Sequence, residues 1–250
     1  MTRARRATSE VGLYHVFARG VGRCIIYEDD HDRELFLFYL ERFLVKPGIK
    51  ILAWCLMDNH YHLVLQGSME RISEGMKRLN SSYALAFNEE HDRNGHLFQG
   101  RFRSEAIDDE EYLLTVVRYV HQNPVRAGFC ATCDYEWSSY RGYFSNPRLV
   151  DNGLMHELLG TEEAFRALHD EVDYTAACID VDSPRGRRFL SAERALEVAR
   201  AVLLDTRIEE VAGLDRARRN ESLRALKEAG LSVRQIERIT GVPKTVIANA

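Results

Sequence analysis

The sequence predicts an α+β protein: a small antiparallel or mixed sheet with helices packed on it in a ferredoxin-like order, followed by an all-helical region. Three observations predict it. The first 150 residues run through strand-period and helix-period apolar patterns in the order β-α-β-β-α-β-α. Beyond residue 150 the strand signals fade and helical periods remain. The chain has 250 residues, 45% apolar and 29% charged, enough to bury a core in one large domain or two small ones.

Each element has its own signal. Residues 12–19 (GLYHVFAR) alternate and are rich in aromatic and β-branched side chains, which marks a strand. Residues 30–45 set Leu35, Phe36, Tyr39, Leu40, Phe43 and Leu44 at helical spacing behind acidic residues, and Pro47-Gly48 ends that helix. Two apolar runs, 49–57 and 60–66, flank Asp58-Asn59, a two-residue hairpin signal. Residues 68–88 read as a second helix, 95–100 as a loop and 101–107 as a strand. A third helix spans 109–122, with Asp108 or Asp109 as N-cap and Pro124 as its stop. Helical patterns recur at 161–169, 191–204 and 221–229, and the polar, turn-rich stretch 180–188 reads as a linker. The expected organisation is a mixed domain over 1–150, an acidic connecting region over 151–190 and a helical tail over 191–250.

Charge excludes some functions. A net charge of −4 excludes a globally basic protein that coats nucleic acid. The distribution is uneven: residues 151–214 hold 7 basic against 14 acidic side chains, whereas 215–250 hold 8 against 4. No apolar run reaches the roughly 18 residues of a membrane span, and no apolar signal core follows the basic start. The five cysteines, Cys24, Cys55, Cys130, Cys133 and Cys178, are odd in number and scattered. They point to a reducing, cytoplasmic setting. Cys130 and Cys133 have CxxC spacing, but the second pair that a structural zinc site needs is absent from the sequence.

Two constellations can carry chemistry. On the second arm of the hairpin, alternation puts His60 and His62 on one face, about 6.5 to 7 Å apart along the strand, where two imidazoles can grip one divalent ion. Two ordinary histidines on a half-exposed strand would fit the same spacing. In the third helix, Leu113, Val117 and Val120 form the buried stripe. Tyr119 lies off that stripe, with Asn123 one turn further on. A tyrosine hydroxyl can attack a phosphodiester, and an amide oxygen can join two imidazoles around a metal. A surface tyrosine and a helix-ending Asn are the plainer reading of the same residues.

Three co-linear segments shift that balance: LMDNHYHLV over 56–64, GHLFQGRF over 95–102 and RYVHQNPVRAG over 118–128. In order and spacing they resemble the REP-associated tyrosine transposases, within the HUH single-strand nucleases that include the smallest insertion-sequence transposases. The resemblance spans roughly residues 10–145. It implies the HUH nuclease fold, His60, His62 and Asn123 as metal ligands for Mg²⁺ or Mn²⁺, and Tyr119 as nucleophile. The implied reaction cleaves and rejoins single-stranded DNA through a 5′-phosphotyrosine, on DNA hairpins such as repetitive extragenic palindromes, by a monomer or homodimer. Tyr61 stands where the family usually has a smaller apolar residue. Arg101, Arg103 and Arg126 are the expected phosphate contacts, with Lys77 and Arg78 nearby and Phe98, Phe102 and Tyr83 as candidates for base stacking.

The tail carries the last signal. Ser232 and Gln235 form a capping box, Ile236 and Ile239 an apolar face, 241–243 a turn, and 244–247 the start of another helix. This is a helix-turn-helix pattern, with Arg234 and Lys244 flanking the turn as candidate contacts to duplex DNA. A helical bundle that only packs on the first domain is the competing reading of the tail. For the whole chain the competitors are a non-catalytic DNA-binding regulator on the same fold, and a zinc-stabilised protein using His60, His62 and the Cys130/Cys133 pair.

Overall fold

The computed structural model describes residues 8–144, 146, 148–170, 192–203, 206–229, 231, 233–248 and 250. The 180–188 linker, Cys178 and the Ser232 cap lie outside the described residues, as does the side chain of Arg234.

Four strands, β1 (Leu13–Arg19), β2 (Lys50–Met57), β3 (His60–Gln66) and β4 (Arg103–Ile107), form one sheet in the order β2-β3-β1-β4. All three neighbouring pairs are antiparallel. Helix α1 (Asp30–Leu40) joins β1 to β2 and continues into one wide turn over Glu41–Val45. Helix α2 (Met69–Glu90) joins β3 to β4. The antiparallel sheet with packed helices and the helical C-terminal region agree with the fold class read from the sequence.

Both faces of the sheet are covered. Tyr14, Val16, Ala18, Tyr61, Leu63 and Leu65 share a core with α1 and α2. Leu13, Cys55, Met57 and Val64 pack on the other side against α3 (Glu110–Arg126). Side chains Asp29, Ser68 and Asp109 cap α1, α2 and α3 by accepting from the backbone N–H three residues on. Gly75 lets α2 approach the end of the wide turn, since a Cβ there would stand 2.7 Å from the Phe43 carbonyl oxygen.

The third helix does not stop before Pro124; it runs through it to Arg126. The ring removes one donor and disfavours helical geometry at Asn123. The helix closes just beyond by a tight terminus: Phe129 N–H donates to the Pro124 carbonyl at 2.9 Å and Gly128 N–H to that of Val125 at 2.9 Å. Gly128 takes φ +74°, which that closure requires. Asn123 is thereby held inside a regular helix rather than at its frayed end.

Residues 151–170, the start of the expected connecting region, supply α4 (Gly153–Leu159) and α5 (Glu162–Asp170). Their Met155 and Phe165 complete the core beneath α3. Helices α6 (Ala192–Val202), α7 (Arg216–Glu228), α8 (Val233–Thr240) and α9 (Lys244–Ala248) surround a third core of Ala195, Ala199, Leu223, Leu226, Ile236 and Ile247. The Glu237 carboxylate accepts from the Lys244 backbone N–H at 3.1 Å and pairs with its Nζ at 3.2 Å, fastening α8 to the start of α9. Arg238 meets Glu28 of the sheet domain at 3.4 Å. Among the described residues no helix is long and apolar enough to cross a membrane.

Candidate active site

Strand β3 leaves the Asp58-Asn59 turn directly at His60. Alternation then aims His60 and His62 at α3 and Tyr61 at α2, where its hydroxyl donates to Asn80 Oδ1 at 2.8 Å. The larger residue between the histidines is thus spent on the opposite core. Helix α3 lies across the histidine face and brings Tyr119 and Asn123 to it one turn apart. The His62 and Tyr119 rings meet edge-on with centroids 5.4 Å apart, and the His60 and His62 rings are 5.1 Å apart at 88°. His60 Nε2 is 3.2 Å from Asn123 Oδ1.

This cluster is internal. Tyr119 is 2% exposed, His60 3% and His62 0%, so the face is neither half-exposed nor the tyrosine a surface residue. The reason is α3, which covers that face of the sheet. The Arg126 guanidinium lies over the Tyr119 ring, 4.8 Å from its centroid.

The hydrogen bonds fix how the imidazoles present themselves. Asn59 Nδ2 donates to the Arg23 carbonyl, which turns Asn59 Oδ1 towards His60 Nδ1 at 2.6 Å. His60 therefore carries its proton on Nδ1 and offers a lone pair at Nε2. That lone pair faces the amide oxygen of Asn123, and two acceptors at this distance favour a cation between them. His62 Nε2 is buried with no hydrogen-bond partner among the described residues. Burial, then the neighbouring His60, His15 and Arg126, hold the His62 pKa well below the ordinary histidine value, so its ring is neutral, as a metal ligand must be. Two imidazoles and an amide oxygen thus fit a divalent ion with open positions. Among the described residues no group of three or more His, Cys, Asp or Glu side chains has metal-holding geometry, Cys130 and Cys133 included.

The expected DNA contacts fall in different places. Arg126 is beside the cluster, and its buried Nη1 has no hydrogen-bond partner among the described residues, which suits a phosphate oxygen. Arg103 is exposed and pairs across from Phe17, on the face of His15 and His62. Arg101 lines a groove of about 580 Å³ together with Lys77, Asn80 and Phe102, against α2. Lys244 is exposed in the tail, tied to Glu237. Phe98, Phe102 and Tyr83 are core side chains, 8%, 6% and 0% exposed, and do not present stacking faces to solvent.

One residue that the sequence reading missed touches the cluster, and a second stands behind it. His15 Nε2 is 2.9 Å from His62 Nδ1, and Glu105 Oε2 is 3.9 Å from His15 Nδ1. Alternation over residues 12–19 puts His15 on one face with Phe17, but nothing local says which strands lie beside it.

On the far side of α3, His121 Nε2 lies 2.7 Å from Ser139 Oγ and Nδ1 3.0 Å from His169 Nε2, while His169 Nδ1 donates to the Phe165 carbonyl. Burial pushes both pKa values down, that of His169 to about 4 although the bond to Phe165 opposes it. Both rings fold neutral, so the unfolded chain binds protons first as pH falls. Stability is then unaffected above about pH 6.5 and lost progressively between about 6.5 and 4. Between pH 7 and 5, His169→Gln should cut the wild-type loss of unfolding free energy by roughly 1 to 2 kcal/mol, read from urea midpoints. An equal loss in both proteins would show that this pair is not what acid attacks.

An antiparallel sheet that holds two imidazoles against a tyrosine and an amide on one covering helix has the parts for phosphoryl transfer to a side chain. Residues 10–123 match the family described as IS200-like transposases. That segment, a little under half of the chain, contains the hairpin histidines and Tyr119 and ends at Asn123. A REP-associated tyrosine transposase solved bound to a REP hairpin is 16% identical, with 73% of this chain and 100% of that one covered and a TM-score of 0.46. A candidate transposase from Deinococcus radiodurans R1 is also 16% identical, with 49% and 95% covered and a TM-score of 0.34. No curated protein matches the sequence.

Proposed function

We propose that the protein is a single-tyrosine DNA strand transferase that cleaves and rejoins single-stranded DNA at hairpin-bearing sites. The observation that carries this reading is the convergence of His60, His62, Tyr119 and Asn123 from one strand and one helix into a single buried cluster. In the proposed reaction Tyr119 Oη attacks the phosphorus and the bond to the 3′-oxygen breaks. The tyrosine's proton ends on that oxygen, leaving a 5′-phosphotyrosine and a free 3′-OH. Another 3′-OH reverses the step, so no ATP is consumed. Arg126, whose guanidinium lies 4.8 Å from the Tyr119 ring centroid, would hold a phosphate oxygen. His60, His62 and Asn123 would hold a divalent ion, Mg²⁺ or Mn²⁺, which polarises the phosphoryl oxygen when bound. The test is incubation with labelled single-stranded oligonucleotides from the sequences flanking the gene. Cleavage should stop on chelation and return with Mn²⁺ at least as well as with Mg²⁺, because imidazole suits manganese better. Cleavage that survives chelation removes the metal from the scheme.

The helical tail, residues 191–250, is proposed to bind the duplex arm through a helix-turn-helix, with Arg234 and Lys244 touching the phosphates. What supports this is its +4 charge over 215–250 and the short α8-turn-α9 unit. Truncation before residue 192 should leave cleavage of a short oligonucleotide intact. It should also flatten the salt dependence of binding to hairpins with a duplex arm, by about 0.9 in log–log slope for each phosphate that the tail neutralises. An unchanged slope would favour a bundle that only packs.

A further inference from the structure

We propose that His15 and Glu105 act as a positioning pair that fixes which nitrogen of His62 carries the proton, and so decides whether His62 can bind a metal at all. This rests on the reading of His62 as a ligand.

His15 is fully buried on β1. It lies near-parallel to His62, with ring centroids 5.1 Å apart at 25°, and its Nε2 is 2.9 Å from His62 Nδ1. Such a contact between neutral imidazoles holds one proton, and it has two polarities. If His15 donates, His62 accepts at Nδ1 and carries its own proton on Nε2, on the ring that lies beside His60 and Tyr119; it then has no lone pair for a metal. If His62 donates, its Nε2 is bare.

Glu105 selects between the two. In the β1–β4 register it stands opposite His15, with its carboxylate 3.9 Å from His15 Nδ1. A negative charge at that distance favours the N–H on Nδ1 and leaves Nε2 as the acceptor. His15 then accepts from His62 Nδ1–H, and the His62 lone pair at Nε2 points into the cluster. That Nε2 is among the atoms left buried without a hydrogen-bond partner among the described residues. An arrangement that leaves an acceptor bare inside a protein costs stability unless something binds there, and a cation is what this one accepts. Asn59 does the same for His60 from the other side, so both imidazoles converge with Nε2 forward.

The experiment uses the full-length protein without DNA. Long-range ¹H–¹⁵N spectra of histidine-labelled, metal-free protein should show His62 with its proton on Nδ1, and this signature should be lost in His15→Phe, which keeps a ring but no acceptor. Calorimetric titration with Mn²⁺ should show His15→Phe about 10- to 100-fold weaker than wild type, the usual size of such outer contacts. His15→Gln, whose amide oxygen can accept from Nδ1–H, should recover part of the loss, and Glu105→Gln should show a smaller one. His62→Ala is the control. If His62→Ala loses Mn²⁺ while His15→Phe binds as wild type, the positioning role is overturned and the ligand reading stands. If wild type binds no Mn²⁺, or His62→Ala binds it equally well, the ligand reading itself fails. Should His15→Phe not fold, the wild-type spectrum decides: a proton on His62 Nε2 overturns the proposal.

Discussion

Tyr119→Phe should form no covalent adduct with DNA and lose strand cleavage by on the order of 10⁴-fold or more, the scale on which removal of an attacking group acts. The substitution deletes one oxygen and little else. The ring keeps its edge-on contact with His62 and its place under Arg126. DNA affinity should therefore stay within about twofold, because the phosphate contacts lie on other residues. Single-turnover cleavage of a labelled hairpin oligonucleotide, with fluorescence anisotropy on the same substrate, separates the two effects. Near-normal cleavage would dismiss Tyr119. Tyr61 would be a poor replacement, since its hydroxyl is on the other face of the sheet, bonded to Asn80. Tyr112, at the start of α3, would be the next to test.

The largest stability effect is expected away from the chemistry, at Arg33. Its Nη2 donates to Asp58 Oδ1 at 2.8 Å and its Nη1 to Asp30 at 3.2 Å, and the Arg33 and Asp58 side chains are only 3% and 4% exposed. The guanidinium also lies 5.7 and 5.5 Å from the Tyr27 and Trp137 ring centroids. Asp58 opens the hairpin turn that delivers His60, and its carbonyl accepts from Ile26 N–H. Arg33→Leu leaves a buried carboxylate without its counter-charge, which costs about 3 to 5 kcal/mol. Adding Asp58→Asn should return part of that, because the stranded charge is then gone. Urea denaturation of the three proteins reads both numbers. A loss below about 1 kcal/mol in Arg33→Leu would mean that Asp58 is solvated or protonated when alone.

Much of this was legible in the sequence, for local reasons. The Asp58-Asn59 turn and strict alternation put His60 and His62 on one face without any tertiary knowledge. The i, i+4 spacing put Tyr119 and Asn123 on one side of a helix. What failed was non-local. Pro124 reads as a stop by its own stereochemistry, and only the Gly128 closure lets the helix pass it. Tyr119 reads as exposed because it lies off the apolar stripe, yet the stripe faces one part of the core and the tyrosine another. Phe98, Phe102 and Tyr83 look like base-stacking residues by composition, whereas the core under α1 and α2 takes them. Helix α4 is too short for its period to register. His15 and Glu105 sit 90 residues apart, and only the β3-β1-β4 order brings both to His62. No spacing rule reads strand order.

The most direct test of the central claim is to trap the covalent adduct and map it. The protein is incubated with Mn²⁺ and a single-stranded hairpin oligonucleotide from its own gene's flanks, trimmed with nuclease, digested with trypsin and analysed by mass spectrometry. Cleavage after Arg118 and Arg126 yields a peptide over 119–126 whose sole tyrosine is Tyr119. The account predicts a nucleotide remnant on that peptide, absent in Tyr119→Phe and after chelation. A remnant on another peptide would move the nucleophile elsewhere. No remnant, on DNA that the protein demonstrably binds, would contradict the enzyme and leave a non-catalytic DNA-binding regulator on the same fold.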